Sequence, residues 1–230
     1  MNISFIASAL LLLLATRLRG SLDTTIESGT DTPVIDPGSN TNNQTPSNVI
    51  TNDDVINATL ISLDTNRIDD IIDIVNTWNV YGDGDIRKLC YILATAFHES
   101  RVGLFMTEIS SGEQYEFRQD LGNVYPGDGP LYKGRGYVQI TGRVNYQKFS
   151  SILGIDLISQ PTLATVPQYA ARIMIHGMIN GSFTGVSLSN YINSFNADYI
   201  NARRVVNGTD RSSLIAGYCT DILNQLNLPA

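Results

Sequence analysis

Cysteine is scarce in this chain. Cys90 and Cys219 are the only two among 230 residues, which excludes a disulfide-stapled scaffold and leaves stability to packing. Both fall on apolar helical faces, Cys90 with Ile86, Leu89, Leu93, Ala96 and Phe97, and Cys219 with Ile215, Tyr218, Ile222 and Leu226. Buried thiols are therefore expected, and a single bridge between them is left open. Histidine is as rare. His98 and His176 stand alone, and His98-Glu99 lacks the second histidine of a His-Glu-x-x-His zinc helix because Val102 occupies that place. No metal and no cofactor are expected. The glycines of Gly134-Arg135-Gly136 are not followed by Gly-Lys-Ser/Thr, which excludes a phosphate loop. The longest apolar run is too short to span a bilayer, and nothing repeats at a fixed period. What is present is a 43% hydrophobic, 16% charged composition, enough to bury one good core and unlike that of a disordered chain.

The chain also lacks an excess of positive charge, and its net charge of −7 argues against a nucleic-acid partner. Residues 1–74 hold ten acids against three bases, whereas residues 75–230 hold twelve of each. A nearly neutral body suits an uncharged substrate. The apolar run Ile3 to Ala15 sits where a secretory signal would, so residues 1–20 are read as a signal peptide and the protein as secreted, without stable membrane association. Residues 21–53, rich in Ser, Thr, Asn, Asp and Pro, read as a disordered acidic linker. Residues 54–230 remain as the folded domain.

That domain reads as mainly α. Asn66 is placed to cap a helix with the stripe Ile68, Ile71, Ile72, Val75 and Trp78. A second helix opens near Asp85, carries the Cys90 stripe and ends around Glu99. Further helices follow Pro167, surround Leu188 to Tyr191, and close the chain. Ser110 to Pro130 reads as a long ordered loop or small β element anchored by Tyr115, Phe117, Leu121, Tyr125 and Tyr132. Gly134 to Arg143 reads as a short strand leading into a helix, with Thr141 as its cap.

Glutamate is concentrated in one place. Beyond residue 30 there are only four, Glu99, Glu108, Glu113 and Glu116, all at or just after the end of the second helix. Acid–base hydrolysis needs two carboxyl groups in different surroundings, one protonated and one ionised. Glu99 lies on a flank of its helix, where partial burial would raise its pKa as a general acid requires. Glu113 is expected to be solvated, and Glu116 to be structural and paired with Arg118.

The strings Ala94-Thr95-Ala96-Phe97-His98-Glu99-Ser100 and Tyr132-Lys133-Gly134-Arg135-Gly136-Tyr137-Val138-Gln139-Ile140-Thr141-Gly142-Arg143-Val144-Asn145-Tyr146 resemble glycoside hydrolase family 19, which contains plant-type chitinases and phage or bacterial endolysins. Tyr115-Glu116-Phe117-Arg118, Asp120-Leu121-Gly122-Asn123, Phe183-Thr184-Gly185 and Ala202-Arg203-Arg204-Val205-Val206-Asn207-Gly208 resemble its compact bacterial and phage branch. The likeness runs in order from about Trp78 to Leu226.

The resemblance implies a lysozyme-like, two-lobed helical domain with a small β element and a substrate cleft. It implies Glu99 as general acid, Glu108 as general base nine residues on, and Thr141 as a holder of the attacking water. Gln139, Asn145, Asn207 and Tyr137 are implied as substrate contacts, and Arg211 as the residue that orients and tunes the carboxylates. The reaction implied is inverting cleavage of β-1,4-linked N-acetylglucosamine polymers by a monomer, with chitin or peptidoglycan as the polysaccharide partner. A catalytically silent carbohydrate-binding protein is the alternative from a different class. Ser100-Arg101-Val102-Gly103 departs from the small residues and glycines usual after the His-Glu pair. Glycosylation sequons occur at Asn43, Asn57, Asn180 and Asn207, and a glycan at Asn207 would block the site so drawn.

Overall fold

A computed structural model describes residues 49–229 of the chain. The expected signal peptide, and the linker up to residue 48, lie outside the described residues. The domain begins earlier than residue 54, because helix α1 spans Asn52–Ser62. Its start is a capping box: Asp54 N–H donates to the Thr51 hydroxyl at 3.2 Å, and Thr51 N–H donates to the Asp54 carboxylate at 2.8 Å. Val55, Ala58 and Thr59 are its buried residues.

Helix α2 spans Ile68–Tyr81. Asn66 is exposed and does not cap it; Arg67 takes the N-cap position without a side-chain bond. The buried face is Asp70, Ile71, Ile74, Val75 and Trp78, so Ile74 takes the place expected of Ile72. Helix α3, Ile86–Ser100, is capped by the Asp85 carboxylate, which accepts from Arg87 N–H at 3.0 Å. Its residues Leu89 to Phe97 are all buried, so this is the central helix and not one with a single apolar stripe.

Short 3-10 turns at Glu113–Tyr115 and Gln119–Leu121 and the single-turn helix α4, Asp128–Leu131, make up the long loop. Helices α5, Arg143–Leu153, α6, Pro167–Ile179, and α7, Ser212–Gln225, complete the domain. The α7 helix packs on α3 and α1, and α6 packs on α2. Among the described residues the small β element reduces to isolated antiparallel bridges, Thr107 with Arg135, Arg135 with Ile140, and Ile192 with Ala197. Cys90 and Cys219 are separate buried thiols, and burial pushes the Cys90 thiol up to about 12.

The long loop is anchored by polar contacts more than by its aromatic residues. Phe117 and Tyr125 are both 60% exposed. The buried Asp128 carboxylate is paired with Arg143 and accepts from Val124 and Tyr125 N–H groups. Glu116 accepts from Gly127 N–H at 2.6 Å and Gly129 N–H at 2.8 Å, while Arg118 pairs with Asp120 in its place. Asn123 Oδ1 accepts from Arg143 N–H at 2.9 Å, so the start of α5 is capped from the loop and not by Thr141.

Between Glu99 and Glu108 the chain passes through three consecutive left-handed residues, Arg101, Val102 and Gly103, at φ 52°, 49° and 85°. For a β-branched residue such as Val102 this conformation is strained by about 1–3 kcal/mol. A clamp of polar side chains offsets the strain. Arg67 Nε donates to Val102 O at 3.3 Å, Arg67 pairs with Asp70 at 2.6 Å, and Tyr137 OH donates to Asp70 Oδ1 at 2.9 Å. A Cβ on Gly103 would stand 2.3 Å from Asp70 Oδ1. Gly103→Ala is therefore expected to destabilise the fold by more than about 1 kcal/mol, read as a shift in the urea midpoint with an unchanged slope.

Candidate active site

Glu99 projects from the last turn of α3 with its side chain 20% exposed. Its Oε1 accepts from Arg203 Nη1 at 2.5 Å. Arg203 belongs to the 3-10 turn Asn201–Val205, is 3% exposed, and also donates through Nε to Asp210 O at 3.1 Å. A buried guanidinium with a carboxylate on one side and a carbonyl on the other is a stiff support for Glu99. The arginine bonded to Glu99 is Arg203, where Arg211 was the one expected to orient the carboxylates. Arg211 is exposed and left-handed at φ 57°, and its backbone carbonyl accepts from Leu214 and Ile215 as α7 begins. Burial lowers the pKa of neighbouring His98, so its imidazole is uncharged near neutral pH.

Glu108 has a contrasting setting. Its Oε1 accepts from Ser110 Oγ at 2.6 Å, Gln114 Nε2 at 3.0 Å and Tyr115 OH at 3.0 Å, and its Oε2 from Gly134 N–H at 3.0 Å. Burial pulls the carboxyl upward, but the bonds from Ser110, Gly134 and Tyr115, with Lys133 nearby, outweigh it and hold Glu108 below its ordinary range. It is ionised at neutral pH. A lowered folded-state pKa stabilises the protein above the unfolded-state value, and that stabilisation is lost as pH falls through the folded value. Tyr115→Phe removes one donor and is expected to move the Glu108 titration upward toward the ordinary glutamate range, as followed by carboxyl-carbon NMR.

Gln139 and Glu108 flank one glycine. A Cβ on Gly134 would lie 2.9 Å from Gln139 Oε1 and 3.2 Å from Glu108 Oε2, so a side chain there would press on the ends of both. Gln139 is left-handed at φ 52°, and its Nε2 donates to Phe105 O at 3.0 Å and Gly136 O at 2.8 Å. Thr141 Oγ1 donates to Gln139 O at 3.0 Å, and Asn145 Nδ2 donates to Thr141 O at 2.8 Å. Gln139, Thr141 and Asn145 are thus linked in series, Gly134 lies between Gln139 and Glu108, and all four side chains are partly exposed. Backbone bonds from Glu108 N–H to Gly134 O and from Gly136 N–H to Met106 O, both 2.9 Å, fasten the two segments together.

Tyr137 does not belong to this group. It is fully buried with its hydroxyl on Asp70, so the expected substrate contact is corrected to a structural tie. Residues 134–140 turn tightly, with Arg135 bridged to Ile140, and the alternation that would put Tyr137 and Gln139 on one face does not apply. Asn207 is exposed. It joins the Glu99 side of the site through its backbone N–H, which donates to Arg203 O at 3.1 Å. Glu113 is exposed and Glu116 is committed to two backbone N–H groups. Among the described residues no three potential ligands gather as a metal site. Surface concavities of about 310 and 390 Å³ border α1 and contain neither Glu99 nor Glu108.

The sequence did not single out Arg203, Ser110, Gln114, Tyr115 or Gly134 for these roles. Arg203 left one trace, its place between Ala202 and Val205, two small or apolar residues that are both buried.

No family model matches this sequence. A segment of 79 residues, 34% of the chain, is 30% identical to Chitinase 8 of Oryza sativa subsp. japonica and spans 29% of that protein's length. Among solved structures, the chain is similar to chitinase C from Streptomyces griseus HUT6037 with a TM-score of 0.56 at 18% identity, covering 76% of this chain and 77% of that one. A chitinase C point mutant matches with a TM-score of 0.54 at 18% identity over 78% of this chain and 93% of its own. A bacterial family 19 chitinase matches with a TM-score of 0.50 at 15% identity, covering 76% and 96%. The chain has the mainly helical fold of family 19 chitinases.

Proposed function

We propose that this protein is a secreted glycoside hydrolase of chitinase type, cleaving β-1,4-linked N-acetylglucosamine polymers with inversion at the anomeric carbon. The observation that carries the reading is a pair of carboxyl groups on either side of a short left-handed turn, each held by its own set of donors. Glu108 is held ionised by four donors beside Gln139 and Thr141, and Glu99 stands at a helix end on a buried arginine. In the proposed reaction Glu99 delivers a proton to the glycosidic oxygen. Glu108 takes one from a water that attacks from the opposite face of the sugar, and Thr141 helps hold that water. Inversion needs the two carboxyl groups about 6.5–9.5 Å apart. Gln139, Asn145 and Asn207 supply amide groups suited to hydroxyl and acetamido substituents. Secretion is part of the proposal and rests on the leader expected at residues 1–20.

The test is incubation of the full chain with chitin oligosaccharides, with the anomeric configuration of nascent products read by NMR. α-Configured new reducing ends from a β-linked substrate support the reading; β-configured ends refute inversion. Clearing of bacterial walls without release from chitin would move the substrate to peptidoglycan. Binding without turnover would make the protein a lectin.

A further inference from the structure

The chain contains two Asn-Gly pairs, Asn180-Gly181 and Asn207-Gly208, and their settings differ. Asn-Gly is the dipeptide whose asparagine most readily closes onto the following backbone nitrogen, because glycine puts no side chain in the way. At the first pair the geometry opposes closure. Asn180 ends α6, with its backbone N–H and its side-chain Nδ2 both donating to His176 O, at 2.9 and 3.2 Å. Gly181 is buried and left-handed at φ 70°, with its Cα hydrogens facing the Val186 backbone.

The second pair is open. Asn207, Gly208, Thr209 and Asp210 are exposed, and nothing lies within 4 Å of a Cβ position at Gly208. The Asn207 side chain is folded forward, its Oδ1 2.8 Å from Gly208 N. Gly208 N–H donates to that oxygen, so the side-chain amide lies over the following peptide unit, whereas the Asn180 amide is turned back onto His176 O.

We propose that Asn207 is a site of spontaneous deamidation and that the exposed 207–210 turn makes it a timer on the candidate active site. The Gly208 nitrogen loses its proton to solvent and forms a bond to Asn207 Cγ. The Cγ–Nδ2 bond breaks and ammonia leaves with that proton returned. Water then opens the resulting succinimide at either carbonyl, giving aspartate or isoaspartate. No oxidant or other co-reactant is needed.

The consequence for the site rests on the hydrolase reading. Asn207 N–H is fastened to Arg203 O, and Asp210 O accepts from Arg203 Nε, so both ends of this turn hold the arginine that supports Glu99. Isoaspartate lengthens the main chain by one methylene between those anchor points, and either product adds a negative charge beside them. Turnover is expected to fall in step with conversion.

The experiment ages the full chain in mildly alkaline buffer alongside the free peptide Val-Val-Asn-Gly-Thr-Asp. Peptide mapping with fragmentation that distinguishes isoaspartate follows both. Conversion at Asn207 comparable with that of the free peptide, with Asn180 intact and Gly208→Ala markedly slower, is the expected result. Asn180 reacting as fast as Asn207, or Asn207 intact once the peptide has converted, overturns the assignment. Constant turnover per molecule as isoaspartate accumulates overturns the link to the site. Fresh protein without turnover refutes the hydrolase reading alone, since the map reads the modification independently.

Discussion

Glu99→Gln is expected to lower turnover of chitin oligosaccharides by about 100- to 10,000-fold, the range for loss of a positioned general acid. The substitution is nearly isosteric, and its amide oxygen can still accept from Arg203 Nη1 where Glu99 Oε1 does at 2.5 Å. Helix α3 should therefore keep its end and the protein should stay folded. Some stability is lost, because the buried Arg203, 3% exposed, exchanges its carboxyl partner for an amide. Oligosaccharide affinity measured calorimetrically should change little, which separates loss of chemistry from loss of binding. Full activity in this variant would remove Glu99 from the mechanism.

Glu108→Gln is expected to cost a comparable factor, about 100- to 10,000-fold, through loss of the base. Its structural cost differs. Ser110, Gln114 and Tyr115 all point donors at one oxygen and Gly134 N–H points at the other. An amide presents one acceptor and one donor group, so whichever way it is turned at least one of these donors faces an N–H₂. The neighbouring loop should loosen as well as the activity fall, visible as faster hydrogen exchange at Gly134. Glu113→Gln is the control and should leave turnover intact, because Glu113 is exposed and remote from the Glu108 donors in its bonding. Equal losses in the two variants would exclude Glu108 as the unique base.

Local pattern was enough for some of this. Helices α2, α3, α6 and α7 announce themselves by apolar residues three and four apart, and Asp85 marks the start of α3 as an acidic cap should. The glutamates crowd at and after the end of α3, and in that stretch Glu99 meets Arg203 and Glu108 meets four donors. Helix α1 escaped because it follows a polar segment and buries only Val55, Ala58 and Thr59, although Thr51 and Asp54 carry a cap signature three residues apart. Contacts between distant residues were the least legible. Arg203 meets Glu99 across 104 positions, and Tyr137 meets Asp70 across 67, and no periodicity reports such pairings. Glu116 was hidden for another reason: its partners are backbone N–H groups, which every residue carries and which no residue type betrays, and two such groups also meet Asp128 beside its Arg143 pair.

The span between Glu99 and Arg203 also bears on biosynthesis. A chain emerging from the ribosome displays both carboxylates long before it displays the guanidinium that one of them leans on, and α7, which covers α3, comes later still. A nascent segment that stops short of Arg203 would thus hold Glu99 and Glu108 with the first of them lacking its guanidinium partner.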